Sequence, residues 1–145
     1  MSKRVSKLVI DNASLIEEFF EDTLLWSIVS PEPLYHVAWE INKKSTFNFF
    51  RNPSADFNLN KQLFASYTDF IEEKNMAHYL FQNKVDGHYL LSDLKNVDFF
   101  WMQQGSLYKK EQSELISILL KKMKSVQAVL SVNPLLLKDK HHLMM

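Results

Sequence analysis

The chain has 145 residues, no cysteine and only two glycines. Without cysteine there can be no disulfide, no thiol nucleophile, no zinc held by thiolates and no cysteine-ligated iron–sulfur cluster, which fits a reducing compartment and points to the cytoplasm. Phosphate-cradling loops and dinucleotide turns need several glycines so that the backbone can approach the anion. With Gly87 and Gly105 alone, neither a P-loop nor a Rossmann fingerprint can be written. An excess of one charge is missing too: Lys plus Arg and Asp plus Glu each number 17, so no overall field gathers nucleic acid or an anionic membrane. No apolar run approaches the roughly 20 residues of a membrane span. Leu8-Val9-Ile10, stopped at once by Asp11, is too short for the hydrophobic region of a signal peptide.

What the chain does have is apolar bulk. At 46% hydrophobic residues and this length, one domain over residues 1–145 can bury a core unaided. Lys7 to Ile10 and Leu24 to Val29 read as strands, while the acidic and aromatic Ser14 to Phe20 between them reads either as a turn of helix or as a loose connection. Ser30-Pro31-Glu32-Pro33 is a helix start, with a hydroxyl to accept from free N–H groups and prolines where a missing N–H costs nothing. The Leu34, Val37, Ala38, Ile41 spacing then predicts a first helix to about Lys44.

Phe47, Phe49 and Phe50 suggest a strand that stops near Asn52-Pro53. Leu63 to Phe70 and Ala77 to Gln82 alternate as a hairpin turning at Glu72 to Asn75, and Val85-Asp86-Gly87 is a further turn. Val97 to Gln103 is apolar on both faces, as suits a central strand or a dimer seam. A second helix carries Leu115, Ile116, Leu119, Leu120 and Met123 as one stripe, from which Leu115, Leu119 and Met123 are expected in the core, and Ala128, Leu130 and Val132 form the last strand. This order predicts an α+β fold: a mostly antiparallel sheet with two main helices on one face. The strands either side of the second helix would lie parallel in one sheet, an elaboration of the split βαβ plan.

The segment Leu91-Ser92-Asp93-Leu94-Lys95-Asn96-Val97-Asp98-Phe99 resembles the motif that names the IPExxxVDY family, small bacterial proteins without an established activity. Val97 and Asp98 match outright, while Leu91, Ser92, Asp93 and Phe99 stand where the family has Ile, Pro, Glu and Tyr. Tyr35 to Lys43 is similar to the family's early helix, and Asn133 to Lys140 to its closing segment. The resemblance covers most of the chain and implies kinship without implying chemistry.

Among candidate polar groups, His36 and Glu40 lie one helical turn apart, a spacing that suits two metal ligands or a base with its orienting acid. No third ligand stands nearby, so the residues favour a surface pair. Asp98 sits in a very apolar run, where a carboxylate is costly unless paired, at an edge or functional. It is expected at the start of its strand, accepting from a neighbouring loop or a basic side chain. Asp93 is five residues away along an extended chain, too far to share a site unless the backbone bends. The terminal His141-His142 is not read as a site. Tyr35 and Trp39 fall beside the apolar stripe of the first helix and would form an exposed aromatic rim.

No nucleophile, metal or cofactor pattern emerges. The residues therefore favour a non-catalytic protein-interaction or scaffold domain that self-associates or binds a protein partner. Alternatives are a small-molecule binder or enzyme with a pocket between the first helix and the sheet and, least favoured because the lysines lie apart from the aromatics, an RNA-binding domain.

Overall fold

Segments that alternate with a period of two assemble into a six-stranded antiparallel sheet in a computed structural model that describes residues 13–71, 75–105 and 109–144. The strand expected at Lys7 to Ile10 and the turn residues Glu72 to Lys74 lie outside the described residues. The strands are β1 (Thr23–Val29), β2 (Phe50–Arg51), β3 (Phe57–Leu59), β4 (Gln62–Phe64), β5 (Ser66–Ile71), β6 (Met76–Gln82), β7 (Lys84–Val85), β8 (His88–Tyr89), β9 (Phe99–Gln104) and β10 (Ala128–Val132). The helices are α1 (residues 13–21), α2 (Leu34–Lys44) and α3 (Lys109–Lys122).

The main sheet runs β10-β1-β9-β6-β5-β2, with β3–β4 and β7–β8 as separate small hairpins. Because β9 and β10 both pair antiparallel with β1, they run parallel to each other with β1 between them. The unit β9–α3–β10 is thus a split βαβ, and the fold is α+β with α2 and α3 on one face.

Each face of the sheet carries its own core. Trp26, Ile28, Leu80, Phe99 and Trp101 meet Leu34, Val37, Ala38 and Ile41 of α2, Ile116 and Leu120 of α3, and Met123 just after it. On the opposite face Leu25, Phe81, Phe100 and Met102 pack under Phe20 of α1, Phe57 and Phe64 of β3–β4, and Leu90, Leu91, Val97, Leu137 and Leu143. This explains why β9 reads as apolar on both sides. It is central, between β1 and β6, and the chain's own elements cover both of its faces, so it is not a dimer seam.

The second-helix stripe needs a correction. Ile116, Leu120 and Met123, spaced i, i+4, i+7, point into the core, whereas Leu115 is 60% exposed and Leu119 only half-buried. Of the two adjacent apolar rows available, α3 turns the other one inward. The strand expected over Thr46 to Phe50 shortens to two residues and begins only at Phe50. Asn42 bonds both backbone groups of Phe49, Nδ2 donating to its carbonyl at 2.8 Å and Oδ1 accepting from its N–H at 2.7 Å. Phe47 and Phe49 then turn their rings edge-on to Trp101, at 4.9 and 5.1 Å between centroids. Gly105, with φ of 76°, ends β9. A Cβ there would meet the Asn75 carbonyl oxygen at 2.3 Å, so only glycine fits.

Candidate functional site

The first candidate pair separates on α2. Glu40 is buried, which corrects the expectation of a surface pair with His36, and its carboxylate turns towards the segment joining α3 to β10. Oε1 accepts from the Ser125 N–H at 3.1 Å and, at a very short distance, from the Ser125 hydroxyl, while Oε2 accepts from the Lys124 N–H at 3.2 Å and meets Lys44 Nζ at 3.0 Å. Burial on its own would raise the acid's pKa, but the Ser125 hydroxyl, Lys44 and the two backbone donors outweigh it and hold Glu40 at about 2. An ionised carboxylate thus ties the segment that follows α3 to α2. His36 instead packs against Trp39, with ring centroids 5.7 Å apart.

Tyr35 and Trp39 are 65% and 55% exposed, and Lys43 Nζ sits 4.8 Å from the centroid of the Trp39 ring. Glu32, His36, Trp39, Glu40, Lys43, Lys44, Lys124 and Ser125 line a groove of about 560 Å³. Lys43 is one turn along α2 from Trp39, and of the lysines clustered near the end of α3, Lys124 lines the same groove as that ring.

Asp98 lies one residue before β9, at the far end of a chain of hydrogen bonds that reaches Glu40. Its Oδ2 accepts from the Ser30 N–H at 2.9 Å, and Oδ1 is 3.4 Å from Lys84 Nζ. The Ser30 hydroxyl accepts from the Glu32 N–H at 3.1 Å and donates to the Ser125 carbonyl, and Ser125 in turn donates to Glu40. Two acids 58 positions apart thus fix opposite ends of one seam, where β1, α2, β9 and the α3–β10 segment meet. Asp98→Asn keeps the shape but removes the charge facing Ser30 and Lys84. A loss of about 1–3 kcal/mol is expected in a denaturant titration. An unchanged midpoint would show that the ionised acceptor does nothing for the fold.

Asp93 is not near this seam. It accepts from the Lys138 N–H at 2.8 Å and so fastens the C-terminal segment. His142 Nδ1 lies 2.7 Å from the Leu90 carbonyl, which gives the terminal histidine pair a packing role. Among the described residues no group of three or more His, Cys, Asp or Glu side chains is placed to hold a metal ion. No described helix is long and apolar enough to cross a membrane.

Two buried polar centres escaped the sequence reading. Asn83 is fully buried and organises the segment from Leu91 to Val97: its Nδ2 donates to the carbonyls of Leu94 at 2.8 Å and Val97 at 3.0 Å, and its Oδ1 accepts from the Leu91 N–H at 2.8 Å. His78 and Gln103, directly opposite each other on β6 and β9, are fully buried beneath α2 and α3. Trp101 Nε1 donates to His78 Nδ1 at 3.1 Å, leaving the proton on Nε2. Among the described residues, that nitrogen and both polar atoms of the Gln103 amide lack a partner. Burial pushes His78 down to about 4, against a smaller upward pull from Asp69 on the neighbouring strand.

No family model matches this chain, and no curated protein or solved structure matches it.

An apolar surface feature lies elsewhere, along β10. Ser27, Leu94, Val97, Val132, Leu136 and Leu137 help to line a cavity of about 500 Å³ beside that strand. Leu130 in the middle of β10 is 71% exposed, and Leu136, in the turn after it, is 81% exposed. The sequence shows an apolar alternation there but not that the strand is the last in the sheet.

Proposed function

We propose that the protein is a non-catalytic interaction domain of the cytoplasm and that it engages a protein along β10. The observation that carries this reading is the exposed apolar edge. Among the described residues β10 is the last strand of the sheet, and with Leu130 at its centre and Leu136 beside it, it presents backbone groups that no other described strand pairs, next to an apolar groove, the arrangement that strand addition uses. Support also comes from the acids singled out in the sequence, because Glu40 and Asp98 are both engaged in holding elements together. Membership of the IPExxxVDY family belongs to the same proposal and rests on the residues from Leu91 to Phe99.

A second reading, a small-molecule binder, rests on the groove of about 560 Å³ beside Trp39, where Lys43 and Lys124 favour an anion. A photo-activated cross-linker placed at position 130 or at position 39 in living cells separates the two. A protein adduct from position 130 is the expected result, and the absence of any protein adduct from position 130 overturns the interaction reading.

A further inference from the structure

Resting on that reading, we infer that the partner on β10 is a second copy of this chain, paired antiparallel across a two-fold axis close to Leu130. Two six-stranded sheets would then become one. An edge strand is ordinarily protected from this by charge, proline, a bulge or shortness. The opposite edge has such protection: β2 is two residues long, its Arg51 is paired with Asp56, and Pro53 follows. β10 has five residues, Ala-Val-Leu-Ser-Val, with neither charge nor proline.

Charge and symmetry select the occupant. From Val126 to Leu137 the chain carries no ionisable side chain, although 23% of its residues are charged. The strand itself offers a charged peptide no ionic partner, and Asp93 and Lys95, which line the adjoining groove, carry opposite signs and so select neither a basic nor an acidic one, whereas a second copy brings the same neutral, apolar strand. Antiparallel pairing of a strand with itself is self-complementary, so one surface supplies both halves of a closed two-fold interface. Leu130 lies on the face of the sheet shared with Ser27, since the two are register partners. At the axis it would stand directly across from its symmetry mate, a cross-strand pair of leucines with Cβ atoms about 5 Å apart. A five-residue ladder with Leu130 and Leu136 on each side covers less than the roughly 800 Å² per partner of a standard interface, so the dimer should dissociate in the micromolar range.

Sedimentation of the purified chain from micromolar to millimolar concentration is expected to show a monomer–dimer equilibrium. Leu130→Lys, at an exposed position, should stay folded by circular dichroism and remain monomeric throughout. Because the chain has no cysteine of its own, Leu130→Cys gives a direct geometric test. It should oxidise readily to a disulfide-linked dimer, while Tyr35→Cys, exposed on the α2 surface, should not. A wild-type monomer at every concentration overturns the inference, as does a Leu130→Lys variant that still dimerises. A strict monomer that nevertheless cross-links another protein from position 130 overturns the second copy but leaves the interaction reading standing. The absence of both fails both.

Discussion

Replacing Asn83 with alanine is expected to cost about 3–6 kcal/mol, because it strips partners from one buried N–H and two carbonyls at once. That is a large part of the 5–15 kcal/mol that holds a typical domain folded. Asn83→Asp is the sharper test, since it keeps size and shape. Its first oxygen can still accept from the Leu91 N–H, but its second faces the carbonyl oxygens of Leu94 and Val97, where the amide had donated. Three oxygens then converge in a fully buried place, and the new charge has no counter-ion within the pocket. We expect Asn83→Asp to be at least as damaging as the alanine variant. A denaturant titration showing less than about 1 kcal/mol for either would mean that water takes over these bonds.

The consequence reaches beyond one side chain. Asn83 also pairs through its backbone: its N–H donates to the Asp98 carbonyl, and its carbonyl accepts from the Leu90 N–H. Both ends of the Leu91–Phe99 segment are therefore held from a single residue between β6 and β7. Asp98 keeps its position against Ser30 only while this segment is in place, so Asn83→Asp should also loosen the seam that ends at Glu40.

The elements that depend on local pattern were legible in the sequence. α2 spans Leu34–Lys44 as its apolar spacing predicts, β5 and β6 pair as a hairpin, and β9 and β10 enclose α3 in the split βαβ arrangement. Legibility ended where residues distant in sequence meet. Glu40 looked like half of a pair with His36 because the two are a helical turn apart, yet its partners are Ser125 and Lys124, reached only after α3 has folded back along the sheet. His78 and Gln103 face each other only through the register of β6 on β9. For α3 the period was right and the phase was not: Leu115 and Ile116 are neighbours, and packing against Trp26 and Trp101 chose between them.

Acid should unfold the protein in two stages. For His78 the folded value of about 4 lies below the ordinary 6.5, so between these pH values the unfolded chain binds a proton that the folded chain refuses. Stability is therefore lost as pH falls from about 6.5 to 4, by about 3 kcal/mol if the whole shift is expressed. The cause is the surroundings of the ring: Trp101 donates to Nδ1, and Phe47 and Phe49 pack edge-on against it. Gln103 lies opposite on β9, and Asp69 across on β5 favours the cation. Glu40 acts in the next window. Its folded value of about 2 lies below the ordinary 4.5, so a further loss of about 3 kcal/mol is expected as pH falls from about 4.5 to 2. The two windows separate by mutation. His78→Gln should start from a lower midpoint but show a flatter dependence between pH 6.5 and 4, keeping the decline below 4.5. Glu40→Gln should do the reverse, retaining the first decline and losing the second. If His78→Gln follows the wild-type slope from pH 6.5 to 4, the buried imidazole is not the source of the first stage, and another group that binds its proton more readily in the unfolded chain must supply it.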